Sequence, residues 1–157
     1  MNLTSYSNYT LRVLMIAAAR YPVLTTIGDV ATAFDIARTH LVKCVHQLGS
    51  WGYIETVRGN GGGFRLARAA QSISIGEIIR KTEDGFDLVE CFREQTNSCP
   101  LIRRCLLRPA LHRATAAFLD TLDAITLDEI ASNGGDLLDV LELVRSAPPS
   151  CSDGLPA

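Results

Sequence analysis

The sequence predicts a mostly α-helical fold that carries one small β-hairpin. Three observations lead there. Apolar residues recur at helical spacing in most segments. Four of those segments are preceded by a serine or threonine able to cap a helix. One glycine-rich run, "GNGGG" at 59–63, sits between two short strand-like stretches.

Taken in order, "SYSNYTLRVLMIAAARYP" reads as an opening helix, capped by Ser5 and stopped by Pro22. Tyr6, Tyr9, Val13, Ile16 and Ala17 form its buried stripe. "TTIGDVATAF" is a short second helix. Thr26 caps it, Asp29 three residues on completes a capping box, and Asp35 marks the turn that follows. A third helix is expected from about Ala37 to Trp51, with Leu41, Cys44, Val45 and Leu48 facing inward at i, i+3, i+4, i+7. Cys44 on that stripe is a small buried hydrophobe. The opposite face carries Thr39, Lys43, His46, Gln47 and Ser50, which is polar and mildly basic. Such a face can enter a major groove without bringing a carboxylate against phosphate.

Strands are expected over Tyr53–Arg58 and Phe64–Leu66, because glycines permit the positive φ angles of a tight hairpin. No Lys-Ser/Thr follows the glycines and the turn leads into a strand, so a nucleotide loop is excluded. Two helices, a recognition helix and a hairpin with arginines at its root make a winged helix-turn-helix. The candidate DNA contacts are Arg38, Thr39, His40, Lys43, His46 and Gln47 on the helix, and Arg58, Asn60 and Arg65 on the wing.

"SISIGEIIRKTE" is a further short helix with Ser74 and Glu77 as a capping box. A long amphipathic helix is expected over Leu107–Leu122, about 24 Å in length, with Leu107, Leu111, Ala114, Phe118 and Leu122 near one face. That stripe packs on its own domain or pairs with its copy in a homodimer, the arrangement suited to a two-fold operator. Thr126 and Glu129 box a short helix that "NGG" ends, and a last helix is expected over Asp136–Arg145. The chain thus divides into a winged helix-turn-helix (1–82), a cysteine loop (83–106), a dimerisation helix with C-terminal helices (107–145) and a disordered tail (146–157).

A chain of 157 residues suits one domain or one domain with an appendage. With 47% apolar and 20% charged residues, a packed core is the expectation. The net charge of −2 hides a segregation. Residues 1–82 hold nine Lys/Arg against four Asp/Glu, hence +5, and residues 83–157 hold six against thirteen, hence −7. A basic half joined to an acidic half fits nucleic-acid binding in the first part only. The longest apolar run, Val13–Ala19, is far short of the ~20 residues a membrane span needs. With no leader-like N-terminus, a cytoplasmic protein is expected. His40, His46 and His112 stand in no nucleophile arrangement, so an enzyme is not expected.

The remaining signal is "ECFREQTNSCPLIRRC", residues 90–105, which holds three of the five cysteines. In a reducing cytosol such crowding favours metal or redox chemistry over disulfides. The gaps of seven and five residues between Cys91, Cys99 and Cys105 are wide for structural zinc, whose ligand pairs are two to four apart. They suit an iron–sulfur cluster, whose metal vertices need ligands from different directions. A 4Fe–4S cluster is expected, with 2Fe–2S the alternative. Arg93, Arg103 and Arg104 can offset its charge. Three thiolates leave one vertex of a four-iron cluster to a histidine, a carboxylate, an amide, solvent or a partner-subunit group. A weakly held iron suits a sensor better than an electron carrier.

With "LTSYSNYTLRVLM" as opening helix, "VRGNGGGFRL" as wing and Cys91–Cys99–Cys105 as cluster motif, the chain resembles the bacterial iron–sulfur winged-helix regulators. That family includes RirA, NsrR and IscR, and the likeness runs from about Met1 to Ala131. "TEDGFDLVECF" and "CPL" look most like the iron regulator RirA. The resemblance implies a homodimeric transcription factor whose long helices cross at the dimer interface and whose cluster controls DNA affinity. The expectation is a repressor of iron-uptake genes that releases its operator when iron scarcity strips the cluster. A nitric-oxide-sensing repressor of the NsrR type is the alternative, and a cluster-bearing redox carrier the alternative of another class. Asn8 stands where NsrR relatives more often carry a cluster-ligating aspartate, which makes Asn8 of the partner subunit a candidate fourth ligand. Arg108 replaces the histidine ligand of IscR-type proteins, and Ala37 replaces a capping serine, a loss of about 1 kcal/mol.

Overall fold

A computed structural model describes residues 2–93, 95 and 97–146, so Cys151 and the tail beyond Ser146 lie outside the described residues. The order is α1 (Ser5–Ala19), α2 (Ile27–Phe34), α3 (Arg38–Ser50), β1 (Ile54–Val57), β2 (Gly63–Leu66), α4 (Ile75–Thr82), α5 (Leu107–Ala124), α6 (Leu127–Ile130) and α7 (Gly134–Ser146). Short 3₁₀ turns at Ala70–Ser72 and Glu90–Phe92 complete it. The mostly α class with a two-stranded antiparallel hairpin is as the sequence predicts.

One core unites the first half. Val13, Leu14, Ile16 and Ala17 of α1 meet Leu41, Cys44, Val45 and Leu48 of α3, with Tyr53, Phe64, Ile78 and Ile79 closing round them. Burial pushes the Cys44 thiol above its usual range, which keeps it protonated and inert. Leu127 of α6 enters the same core, and α7 packs on α1 and α2. The C-terminal helices therefore buttress the N-terminal half.

Local chemistry departs from the sequence reading in three places. Thr4, not Ser5, caps α1: Thr4 is extended and its Oγ1 accepts the Ser7 N–H at 3.2 Å, whereas Ser5 is already helical. The Ser74 box forms only half. Ser74 Oγ accepts the Glu77 N–H, but the Glu77 carboxylate turns away to accept the buried Tyr53 hydroxyl. The "NGG" stretch starts α7, since Gly134 lies over Ala19 at the end of α1. The boxes at Thr26–Asp29 and Thr126–Glu129 form in full, and Asp35 turns the chain with φ 51°.

Asp29 also pairs with Arg20 at 2.7 Å, tying α2 to the end of α1. Burial pushes its carboxyl up, but hydrogen bonds from Thr26 and Arg20 outweigh this and hold it below the usual carboxylate value. A depressed folded pKa contributes stability that is complete above the unfolded value and lost as pH falls through the folded one. Asp29→Asn is therefore expected to lower stability by about 1–2 kcal/mol at pH 7. Its urea midpoint converges on that of wild type below about pH 4; parallel midpoint–pH curves would contradict this.

Candidate nucleic-acid interface and cysteine segment

Helix α3, expected to be the recognition helix, is fixed by its buried stripe, so its outer face is determined. Arg38, Thr39, His40, Lys43 and His46 are exposed on it. Gln47 is half-buried and its amide donates to Ser50 Oγ at 3.1 Å, folded along the helix. On the α1 side, Lys43 Nζ lies 5.2 Å above the Tyr6 ring and His40 is tilted 6.0 Å from Tyr9. The Arg38 guanidinium lies against Gly28 near the start of α2. Ala37 makes no side-chain cap, as its methyl requires.

The wing pairs Ile54↔Leu66 through Val57↔Gly63. Gly59 at φ 105° and Gly61 at φ 79° turn its tip, where Arg58 and Asn60 are exposed. Arg65 is not free: its Nε contacts Glu55 Oε1 at 2.5 Å across the register. A third chain segment holds the wing to the body. Thr25 and Phe64 exchange two backbone hydrogen bonds of 2.8 Å. Gly63 permits this approach, since a Cβ there would stand 2.5 Å from the Thr25 carbonyl oxygen. Below the wing, Arg68 sits 4.3 Å over Tyr53 and donates to the Trp51 and Gly52 carbonyls at 3.2 Å. Burial and then the Glu77 carboxylate push the Tyr53 phenol well up, so it stays a donor.

The cysteine segment leaves α4 at Glu83. Glu83 Oε1 accepts from Thr4 N at 2.8 Å and Thr4 Oγ1 at 3.0 Å, and contacts Ser7 Oγ. This knot ties the root of the segment to the start of α1, where Asn8 is exposed. Cys91 rides the 3₁₀ turn, Cys99 donates its N–H to Asn97 Oδ1 at 3.0 Å, and Cys105 stands two residues before α5. All three thiols are free and half-buried. Phe92 stacks on His112 of α5, with ring centroids 3.9 Å apart and planes 7° from parallel. The segment is thus tied to α1 at its start and, through Phe92, to α5 ahead of Cys99 and Cys105. Arg93 is held by Asp87 at 2.5 Å, while Arg103 and Arg104 are exposed. His112 is exposed yet stacked.

Soft thiolate donors on one flexibly turned segment fit an iron–sulfur group in kind. Among the described residues, no three His, Cys, Asp or Glu side chains are already gathered as a metal site. The segment must therefore close for all three sulfurs to bind together. Helix α5 packs mainly on α4, and none of its residues is fully buried. Leu101, Leu106 and Leu107, close in sequence to Cys99 and Cys105, are 64%, 87% and 62% exposed. Among the described residues no helix is long and apolar enough to cross a membrane.

A helix-turn-helix braced by a three-residue-wide wing root, with a thiol segment leading into an open-faced helix, defines a winged-helix regulator of transcription. The sequence profile of Rrf2, described as an iron-dependent transcriptional regulator, matches residues 3–133, and the chain belongs to that family. It is 46% identical over 134 residues to the NsrR regulator of Bacillus licheniformis, covering 85% of this chain and 94% of that protein. It is 42% identical over 144 residues to NsrR of Bacillus subtilis, covering 91% and 99%. Staphylococcus aureus CymR in its oxidized form shares the fold at TM-score 0.66 and 26% identity, over 83% of this chain and 96% of that one. These relatives are regulators and not enzymes. They also turn the likeness within the family from RirA toward NsrR. The "TEDGFDLVECF" and "CPL" stretches that suggested RirA lie almost wholly in the irregular segment after α4.

Proposed function

We propose that the chain is a homodimeric cytoplasmic repressor whose hold on a two-fold operator depends on an iron–sulfur cluster, and that nitric oxide is its signal. The observation that carries this is the position of Cys91, Cys99 and Cys105, free and half-buried on one segment that starts at the Glu83 knot on α1, touches α5 through Phe92 and runs directly into α5 after Cys105. The NsrR name of the relatives at 42–46% identity supports nitric oxide over iron. Held by Cys91, Cys99 and Cys105, a 4Fe–4S group, or alternatively 2Fe–2S, would supply iron able to react with nitric oxide.

The chain's own residues do the coupling. Closing Cys91, Cys99 and Cys105 together draws in a segment fixed to α1 through Glu83 and to α5 through the Phe92–His112 stack. That sets α5 against the DNA-binding half. With α5 paired to its copy through its open face, the same setting fixes the separation of the two α3 helices. Operator half-sites repeat at about 34–36 Å, so a change of a few ångströms in that separation is enough to lose one of them.

Within this reading Arg38, Thr39, His40, Lys43, His46 and Gln47 meet the major groove, and Arg58, Asn60 and Arg65 the backbone or minor groove. Arg65 must exchange Glu55 for phosphate, whereas Arg58 is exposed at the wing. Arg58→Ala is expected to weaken binding evenly across sequences and to cut the salt slope by about 1. An unchanged slope would remove the wing from the interface.

Iron scarcity is the second signal reading, and Asn8 favours it. An amide is a weaker iron ligand than a carboxylate, so a cluster relying on Asn8 of the partner subunit would lose iron more readily. Titrating the anaerobic, loaded dimer on operator DNA with nitric oxide, and separately with an iron chelator, decides between them. Release by a few equivalents of nitric oxide, with the chelator inert, is expected; the reverse order would make iron the signal.

A further inference from the structure

We infer that Val42 reads the 5-methyl group of a thymine in each operator half-site. The inference rests on the DNA-binding reading above and assigns a base-specificity role to a residue outside its set of polar contacts. Val42 is 52% exposed in the second turn of α3, although its neighbours along the outer face, Thr39, Lys43 and His46, are all polar. It does not fill the core, whose contacts on this helix come from Leu41, Cys44, Val45 and Leu48. Nor is valine chosen for the helix, since alanine is better there by about half a kcal/mol.

Its placement is specific. The α1-facing flank of α3 is taken by Lys43 over Tyr6 and His40 beside Tyr9. Val42 lies on the other flank. There it lines a cleft of about 600 Å³ with Ile27, His46, Ser50 and Thr56, between the start of α2, α3 and the first wing strand. The first turns of a recognition helix are the part that reaches base edges. An aliphatic side chain offers nothing to a phosphate or to a base's donors and acceptors. The one aliphatic group a major groove presents is the C5 methyl of thymine, or of a methylated cytosine. Valine suits it, because a β-branched side chain in a helix is held in essentially one χ1 rotamer, so its methyls are fixed before binding.

The test uses the loaded dimer and a duplex selected from a random pool by that dimer. Each thymine of the half-sites is replaced in turn by deoxyuridine, which removes only the methyl. At one position per half-site the wild-type chain is expected to lose about fourfold, and about fifteenfold when both half-sites are changed. Val42→Ala is expected to bind the thymine duplex with that same loss and to be indifferent to deoxyuridine at that position. Val42→Thr, which keeps one methyl, should retain part of the discrimination. If no thymine is sensitive, or if Val42→Ala keeps the full penalty, the inference is overturned while DNA binding stands. If the pool yields no bound duplex, the DNA-binding reading itself has failed.

Discussion

Cys99→Ser protein purified without air is expected to be colourless and to bind operator about 5–150-fold more weakly than wild type, the usual range of one coupling free energy. Cys91→Ser and Cys105→Ser should match it. The three thiols sit on one segment and act as a unit, so losing any one leaves the segment unable to close. The same variants should unfold at the wild-type temperature. None of the three cysteines belongs to the buried core, which is built from α1, α3, the wing root, α4 and Leu127. That contrast separates a sensing role from a structural one. A general loss of stability would mean that the segment is scaffold, and undiminished affinity would mean that the thiols do not govern DNA binding.

Phe64→Ala is expected to have the largest effect on folding. Phe64 is 1% exposed and occupies the centre of β2. Its ring enters the core, while its backbone joins the wing to Thr25 through two hydrogen bonds of 2.8 Å. Truncation removes the ring's burial and leaves a cavity beneath the hairpin, a cost of about 3–5 kcal/mol. For a chain of this length the midpoint of thermal unfolding should fall on the order of 10 °C. Phe64→Leu, which preserves most of the volume, should cost about 1 kcal/mol. Because Arg58 and Asn60 are carried by the same hairpin, Phe64→Ala should also lose DNA affinity under conditions where most of the protein remains folded. A fall below about 1 kcal/mol for the alanine variant would show that the wing is not part of the cooperative core.

The elements with the strongest periodicity were legible in the sequence for a physical reason. The inward stripe of α3 is set by packing at 3.6 residues per turn, and Leu41, Cys44, Val45 and Leu48 are all buried as that spacing requires. Glycines 59 and 61 likewise announced a turn that needs positive φ. What stayed hidden depends on partners distant in sequence. Thr25 makes a bridge one residue long, too short to have a period. Glu77 follows a good capping pattern yet is claimed by Tyr53, twenty-four residues away in the chain. Arg93 is adjacent to the cysteines but belongs to Asp87. Thr4 and Ser5 are both competent caps, and only the path of the chain into Glu83 selects the first. The cysteine spacing offers three candidate donors but no geometry for them, because the described segment is a series of turns with no repeating register. Val42, an apolar residue beside an apolar stripe, reads in the sequence as more core; only its exposure distinguishes it.

The central claim, that sulfur-held iron sets the grip of the winged helices on DNA, is most directly tested by one binding measurement. A single anaerobic preparation is divided, half is stripped of iron, and both halves are titrated onto the same selected duplex at one fixed salt concentration while fluorescence anisotropy is followed. The account predicts that the loaded half binds at least about fivefold more tightly, and that restoring iron and sulfide to the stripped half recovers the affinity. Superimposable curves from the two halves would contradict it.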